Sequence, residues 1–310
     1  MIGARTRLGF AAALAGLLAG TACDGVRFGG LGAPPPGGAE ADALDTLAAR
    51  AMPTPDCGGA ADLADVGTVF VVSVETAGEV TGNVARPQVE RVIRLGVAGM
   101  CLDGPDAVAQ VLTCTMLRTP VEDPGGECAA LVPTAGLLAA LPVLGLFGGT
   151  DVSDPDQTLR LQGFDERWGL APDAPNLPEV PPEDPAALPG LVDLDADDEP
   201  GVTLHGDGVV PLTVHAVRQT AGVLALRPTG EGRLVGRTRT QTREYMLGGP
   251  AARALGDRTH AVGEGDVVFV RADGLAGAPR VDADRDGRIT CAEAAALYAR
   301  LPALPTARCP

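Results

Sequence analysis

The sequence predicts a mainly β protein, an antiparallel barrel or sandwich, with one short helix near the C-terminus. Three observations carry that expectation. β-Branched and apolar runs recur along residues 66–271, separated by Gly, Pro and Asp turn residues. No strand–helix–strand rhythm appears, which argues against a parallel α/β sheet. Aromatics are 3% of the 310 residues and the apolar set is 45%, so the core is to be built from Val, Leu and Ala.

The chain opens on an address. Arg5 and Arg7 precede an apolar run, Leu8 to Ala19, that is too short for an ordinary membrane span. The run ends Leu18-Ala19-Gly20-Thr21-Ala22-Cys23. Small residues ending in Cys resemble a bacterial lipobox, although the usual Leu three residues before the Cys is Gly20 here. The resemblance implies a lipoprotein signal peptide over 1–22 and a membrane anchor at Cys23. The other reading is an ordinary signal peptide cut near Ala22. Acyl chains contribute about 0.8 kcal/mol per buried methylene, so several of them hold a soluble domain on a membrane. The expected location is the cell envelope, on a periplasmic or cell-surface face.

Export changes the cysteine arithmetic. Of seven Cys, six remain beyond Cys23: Cys57, Cys101, Cys114, Cys128, Cys291 and Cys309. An even count in an oxidising compartment suggests disulfides, with connectivity open. The most local pairing is Cys291 with Cys309, and two of Cys101, Cys114 and Cys128 are expected to pair.

Residues 23–59 read as a flexible tether with a short helix, since 24–39 are Gly/Pro-rich and Leu44, Leu47 and Ala48 have helical spacing before Pro53 and Pro55. Residues 60–170 form a first β-rich half. Its strand candidates are Thr68–Glu75, Gln88–Val97, Val108–Leu117 and Gln157–Phe164. Val92 and Val97 blur the alternation of the second, and Leu131–Pro142 reads as a short helix or apolar flap. Residues 171–200 are a Pro/Asp-rich linker or irregular wrap. Residues 201–271 form a second β-rich half, with strands at Leu212–Gln219, Val223–Arg227, Arg233–Leu247 and Asp266–Arg271. Arg237, Arg239, Gln241 and Arg243 share one face there, a solvated strand face or one wall of a ligand site.

The strongest chemical signal lies in 272–310. Residues 282–293 read D-A-D-R-D-G-R-I-T-C-A-E. A hard divalent cation needs oxygens at loop positions 1, 3, 5, 7, 9 and 12. Asp282, Asp284 and Asp286 fill the first three, Arg288 offers its carbonyl, Thr290 its hydroxyl, and Glu293 closes the site with both oxygens. Gly287 stands where the backbone must turn with positive φ. Three carboxylates this close repel one another, which makes a solvated turn without a cation the harder reading. The register resembles the helix–loop–helix calcium motif. Ala292–Leu301 supplies the exiting helix, whereas Ala272–Arg280 holds two Gly and a Pro and is wrong for an entering one. The module therefore resembles a dockerin-like half-motif, and the expected cofactor is Ca²⁺ with a Kd of about 10⁻⁴ to 10⁻³ M.

A second acidic run repeats the first three positions at Asp193, Asp195 and Asp197, a possible second metal site. Asp198 occupies the glycine position, and Leu204 stands where a closing acid belongs. The surrounding Asp193-Leu-Asp-Ala-Asp-Asp-Glu-Pro-Gly201-Val-Thr203, with the Cys-bearing strands, resembles a group of uncharacterised β-rich lipoproteins from myxobacteria-like organisms. The resemblance covers most of residues 60–270 and implies architecture and envelope location alone.

The formal charge of -16 makes nucleic acid a poor partner and cations natural ones. His205, His215 and His260 are widely spaced, and no G-x-S-x-G, Walker loop or H-E-x-x-H occurs, so no enzyme is expected. The reading is an exported, lipid-anchored envelope protein with structural calcium. A lipocalin-like module for a small apolar ligand is the alternative, and an envelope hydrolase ranks behind it.

Overall fold

The computed structural model describes residues 39–54, 66–81, 89–103, 106–120, 130–150, 154, 157–207, 212–229, 232–249, 252, 256–272, 274 and 278–298. The segment expected to be a signal peptide (1–22), Cys23, Cys57, Cys128 and Cys309 lie outside the described residues. The elements are α1 (Ala39–Ala49), β1 (Val66–Thr81), β2 (Val89–Asp103), β3 (Asp106–Pro120), β4 (Ala130–Pro133), α2 (Ala135–Ala140), β5 (Leu144–Thr150) and β6 (Leu159–Trp168). They continue with β7 (Val202–Asp207), β8 (Leu212–Pro228), β9 (Arg233–Gly248), β10 (Asp257–Arg271) and α3 (Cys291–Tyr298).

Every strand pair is antiparallel, and the sheet is curled. Its order is β4-β7-β8-β6-β5-β3-β2-β1-β10-β9, and β9 pairs again with β8. Eight strands thus follow one another in chain order, β1-β2-β3-β5-β6-β8-β9-β10, and the last pairs with the first. Strands of both β-rich halves enter this one ladder. The short β7 lies on β8 at Leu212–Ala216, while β6 occupies the same edge further along, at Arg218–Leu226. β4 in turn lies on β7.

The two strands expected at 212–219 and 223–227 are one continuous β8. Small residues make this possible. A Cβ on Gly222 would stand 2.8 Å from the Arg239 carbonyl oxygen of β9, and one on Gly236 would stand 1.8 Å from the Ala225 oxygen. Tight strand approach at such glycines is how an antiparallel sheet coils.

Side chains fill the space within the ladder. At one level the filling is apolar, with Ala98, Met100, Val111, Leu146, Leu161, Leu226 and Phe269 in one cluster. At another level it is ionic. Arg118 of β3 donates from Nε and Nη2 to Glu90 of β2 at 2.8 and 3.0 Å. It also donates from Nη1 and Nη2 to Glu244 of β9 at 2.9 and 3.1 Å. Arg94 of β2 pairs with Glu166 of β6. Neither β3 and β9 nor β2 and β6 are neighbours in the ladder, so both pairs reach across its interior. Trp168 donates from Nε1 to Glu166 at 2.8 Å, and Arg218 lies over its ring at 4.8 Å.

Burial alone raises the Glu90 carboxyl, but the Arg118 charge and hydrogen bonds overcome it and hold the group down at about 2. A folded-state value below the ordinary 4.5 contributes stability above pH 4.5 and loses it as pH falls toward 2. Urea midpoints are expected to drop across that window, and Glu90→Gln is expected to flatten the drop. An unchanged slope in the variant would assign the acid sensitivity to other carboxylates.

The outer face of β2 and β3 is covered. Ile93, Leu95, Val97 and Leu112 share a cluster with Leu47 of α1, Leu137 and Leu138 of α2, and Ile289 and Ala294 at α3. The Leu131–Pro142 segment is therefore packed down. Its helix α2 is capped by Thr134, whose hydroxyl accepts from Leu137 N at 3.0 Å. Arg50 donates to the Leu138 and Leu141 carbonyls at 2.7 and 2.5 Å, which satisfies the other end of α2.

Residues 171–200 wrap the outside of β8 and β9. Leu177 and Leu188 pack on Val217 and Tyr245, and Arg243 donates to the Leu177 carbonyl at 2.9 Å. The exposed Arg237 and Arg239 face Asp266 and Glu264 of β10 at 3.8 and 3.9 Å. These two are solvated cross-strand charges, whereas Arg243 of the same stripe is half-buried beneath the wrap.

The disulfide pairing corrects the local expectation. Cys291 is bonded to Cys114 of β3, 177 residues away in sequence, and not to Cys309. Cys114 consequently pairs with neither Cys101 nor Cys128, and Cys101 is disulfide-bonded as well. Proximity along the chain was a poor guide because α3 folds back onto β3, leaving the two Cα atoms 5.3 Å apart.

Candidate metal centre

The twelve residues from Asp282 close on themselves through their own carboxylates. Asp282 accepts from Arg285 N at 2.6 Å and from Gly287 N at 3.1 Å. Asp284 accepts from Asp286 N at 3.1 Å, and Asp286 from Arg288 N at 2.7 Å. Glu293 reaches back to Ala283 N at 2.7 Å. One oxygen each from Asp282, Asp284 and Glu293 lie within 4.8 Å of one another, the spread of a shared cation's ligands. Asp286 is outside that group.

Gly287 has φ of 85°, and a Cβ there would meet nothing within 4 Å. Conformation, not space, therefore requires glycine. Arg285 also has positive φ, at 66°.

Glu293 has a second task. Thr290 N donates to its carboxylate at 2.9 Å, and Glu293 N donates to the Thr290 hydroxyl at 3.2 Å. This reciprocal pair is a capping box at the start of α3. The closing ligand and the helix cap are one side chain. Desolvation acts to raise the Asp282 and Glu293 carboxyls, but the hydrogen bonds from backbone N–H donors together outweigh it and hold both below their ordinary values. They are anions at neutral pH.

The loop is fastened where its side chains turn inward. Ile289 is 3% exposed. Its carbonyl accepts from Met52 N at 2.6 Å, and Cys291 N donates to the Arg50 carbonyl at 2.8 Å. These bonds form an isolated antiparallel bridge between Ala51 and Thr290. At loop position eight an apolar residue can pair with a neighbouring loop or pack on the core. Ile289 packs on the core, and the backbone partner of this stretch is the segment after α1.

Asp193, Asp195 and Asp197 also converge to within 4.8 Å. Asp193 accepts from Asp197 N at 3.3 Å and Asp198 N at 2.9 Å. Asp198, in the glycine position, takes φ of 69°, which Asp tolerates better than most residues. Leu204, where a closing acid belongs, is buried in the core. Thr203 closes the loop in its place. Its N–H donates to Asp195 at 2.8 Å and its hydroxyl to Asp197. The other oxygen of Asp195, Oδ1, is buried without a hydrogen-bond partner. Burial, then the charges of Asp197 and Asp193, pushes the Asp195 carboxyl up. Thr203 was missed in the sequence because the loop was measured against acids alone, though the Pro-Gly-Val-Thr run marked where it turns back.

His215 and His205 stand on adjacent β8 and β7. Each meets a threonine, His215 Nδ1 with Thr203 at 3.0 Å and His205 Nδ1 with Thr213 at 3.4 Å. Among the described residues, neither group with metal-ligand geometry contains a histidine.

No family model matches the chain, and no curated protein is similar to it at a significant level.

Proposed function

We propose that residues Asp282–Glu293 bind one calcium ion, and that the protein is an exported, lipid-anchored envelope protein in which the ion is structural. The observation that carries the reading is the convergence of Asp282, Asp284 and Glu293 oxygens within a loop whose Gly287 turns at positive φ. Ile289 and the Arg50–Met52 bridge tie that loop to the cluster covering β2 and β3. An ion held there fastens α3 to the sheet. The envelope location rests on the Arg5–Cys23 segment. The lipocalin-like alternative is less well supported, since ion pairs and Trp168 occupy the interior at the level of β2, β3, β6 and β9.

A second cation at Asp193, Asp195 and Asp197 is favoured by one observation, the buried Asp195 oxygen that lacks a partner. A metal ligand is one way to satisfy it.

The test is calcium titration by calorimetry with parallel melting curves, on the wild type and on Glu293→Gln. Gln keeps one acceptor oxygen, enough for Thr290 N in the capping box, but loses the second oxygen and the charge that closes the site. At calcium about 100 times Kd the wild type is expected to gain about 2.7 kcal/mol, and the variant distinctly less. Without calcium the two should melt together. A second binding step would assign the Asp193 loop as well. Equal differences with and without calcium would sink the structural-calcium reading.

A further inference from the structure

Cys291 is the tenth residue of the loop that starts at Asp282, between Thr290 and Glu293. Its bond to Cys114 therefore ties the loop itself to β3. The loop has two unlike halves. Asp282 to Arg288 is half-buried or exposed. From Ile289 onward the chain is held: Ile289, Cys291 and Ala294 are buried, and backbone bonds run to Arg50 and Met52. The two outer ligands of the motif, Asp282 and Glu293, lie on opposite sides of that divide.

Calcium binding requires both halves to keep their spacing. Ordering a chain segment costs about 1–2 kcal/mol per residue in backbone entropy, so a site held in place beforehand binds more tightly. With the disulfide open, Ile289 packing, two backbone hydrogen bonds and the Ala283 N–H bond to the Glu293 carboxylate remain to hold Glu293 near Asp282. Each such bond contributes only about 1 kcal/mol net.

We propose that the Cys114–Cys291 disulfide sets the affinity of this loop for calcium, so that a dithiol reductant and calcium oppose each other at one site. The proposal rests on the calcium reading above. In the step itself the dithiol gives two electrons and two protons. The Cys114–Cys291 bond breaks to two thiols, and the reductant closes to its own cyclic disulfide. Linkage makes the effect reciprocal: whatever factor reduction takes from calcium affinity, calcium takes from the reduction equilibrium. Position ten of the loop supplies no ligand in the motif, so a change of side chain there leaves the donor set intact.

Two measurements test it. Calcium chloride is titrated into the full oxidised chain and into a Cys114→Ser/Cys291→Ser double variant. Separately, wild-type protein is equilibrated in mixtures of reduced and oxidised dithiothreitol, with and without saturating calcium. The Cys114–Cys291 bond is then read by alkylation and mass spectrometry. The variant is expected to bind about tenfold more weakly, within the usual range of site–site coupling. Calcium is expected to raise, by the same factor, the proportion of reduced reagent needed to open the bond. Equal Kd values overturn the proposal. Should the variant fail to fold, the wild-type redox equilibrium decides alone, and a calcium-independent midpoint overturns it. An oxidised chain that takes up no calcium defeats the underlying reading instead, an outcome visible in the first titration and distinct from equal affinities.

Discussion

Replacing Glu244 with Ala is expected to lower the unfolding free energy by about 3–5 kcal/mol, one of the largest single effects in the molecule. Glu244 is fully buried on β9 and takes two of the Arg118 donors. Arg118 is buried as deeply, with its remaining donors on Glu90. Removing Glu244 leaves the guanidinium with one carboxylate. Arg218, 3.9 Å from Glu244, loses that counter-charge too. Burial and the Arg118 charge already push Arg218 down to about 9. At 2–4 °C per kcal/mol for a domain of this size, the melting point should fall by roughly 10 °C. Circular dichroism melts measure it. A variant that melts with the wild type would mean that water, not Glu244, answers Arg118 in solution.

Trp168→Ala is expected to cost at least as much, about 4–5 kcal/mol. Large-to-small changes at buried aromatics cost about 3–5 kcal/mol through lost transfer energy and the cavity left behind. Here three further losses accompany the cavity. Arg218 and Arg118 lose the ring they lie over at 4.8 and 5.9 Å, and Glu166 loses the indole N–H. Urea denaturation followed by circular dichroism reads the change. Trp168 and Glu244 share Arg118 and Arg218, so the double variant is expected to be less destabilised than the sum of the two. Strict additivity would separate the ring from the ionic cluster and refute the shared network.

Much of the sheet was legible in the sequence because its long strands carry β-branched runs. What blurred the rest has separate causes. β2 is buried on both faces, with Ile93, Leu95 and Val97 under the helices while Arg94 and Met100 face inward contacts, so no clean alternation survives. β4, β5 and β7 escaped notice because they are short, and Gly145, Gly148 and Gly149 interrupt β5. The buried ionic cluster was invisible for a different reason. Arg94, Glu166 and Glu244 read as surface residues until two strands that are not neighbours face one another. The Asp282 loop was readable because its ligands lie within twelve consecutive residues. The disulfide joins residues 177 apart, and nothing local encodes it.

The pairing of β10 with β1 has a kinetic consequence. The first described strand finds one of its two partners only when the last is present. The Ala51–Thr290 bridge and the Cys114–Cys291 link carry the same requirement. Contacts so distant along the chain impose a large loop-closure cost before they return any stability, and proteins rich in them fold slowly. Until β10 arrives, β1 presents an unpaired edge to any other chain nearby. A protein of this topology is most vulnerable to aggregation during its own synthesis, when partial chains have edges to offer.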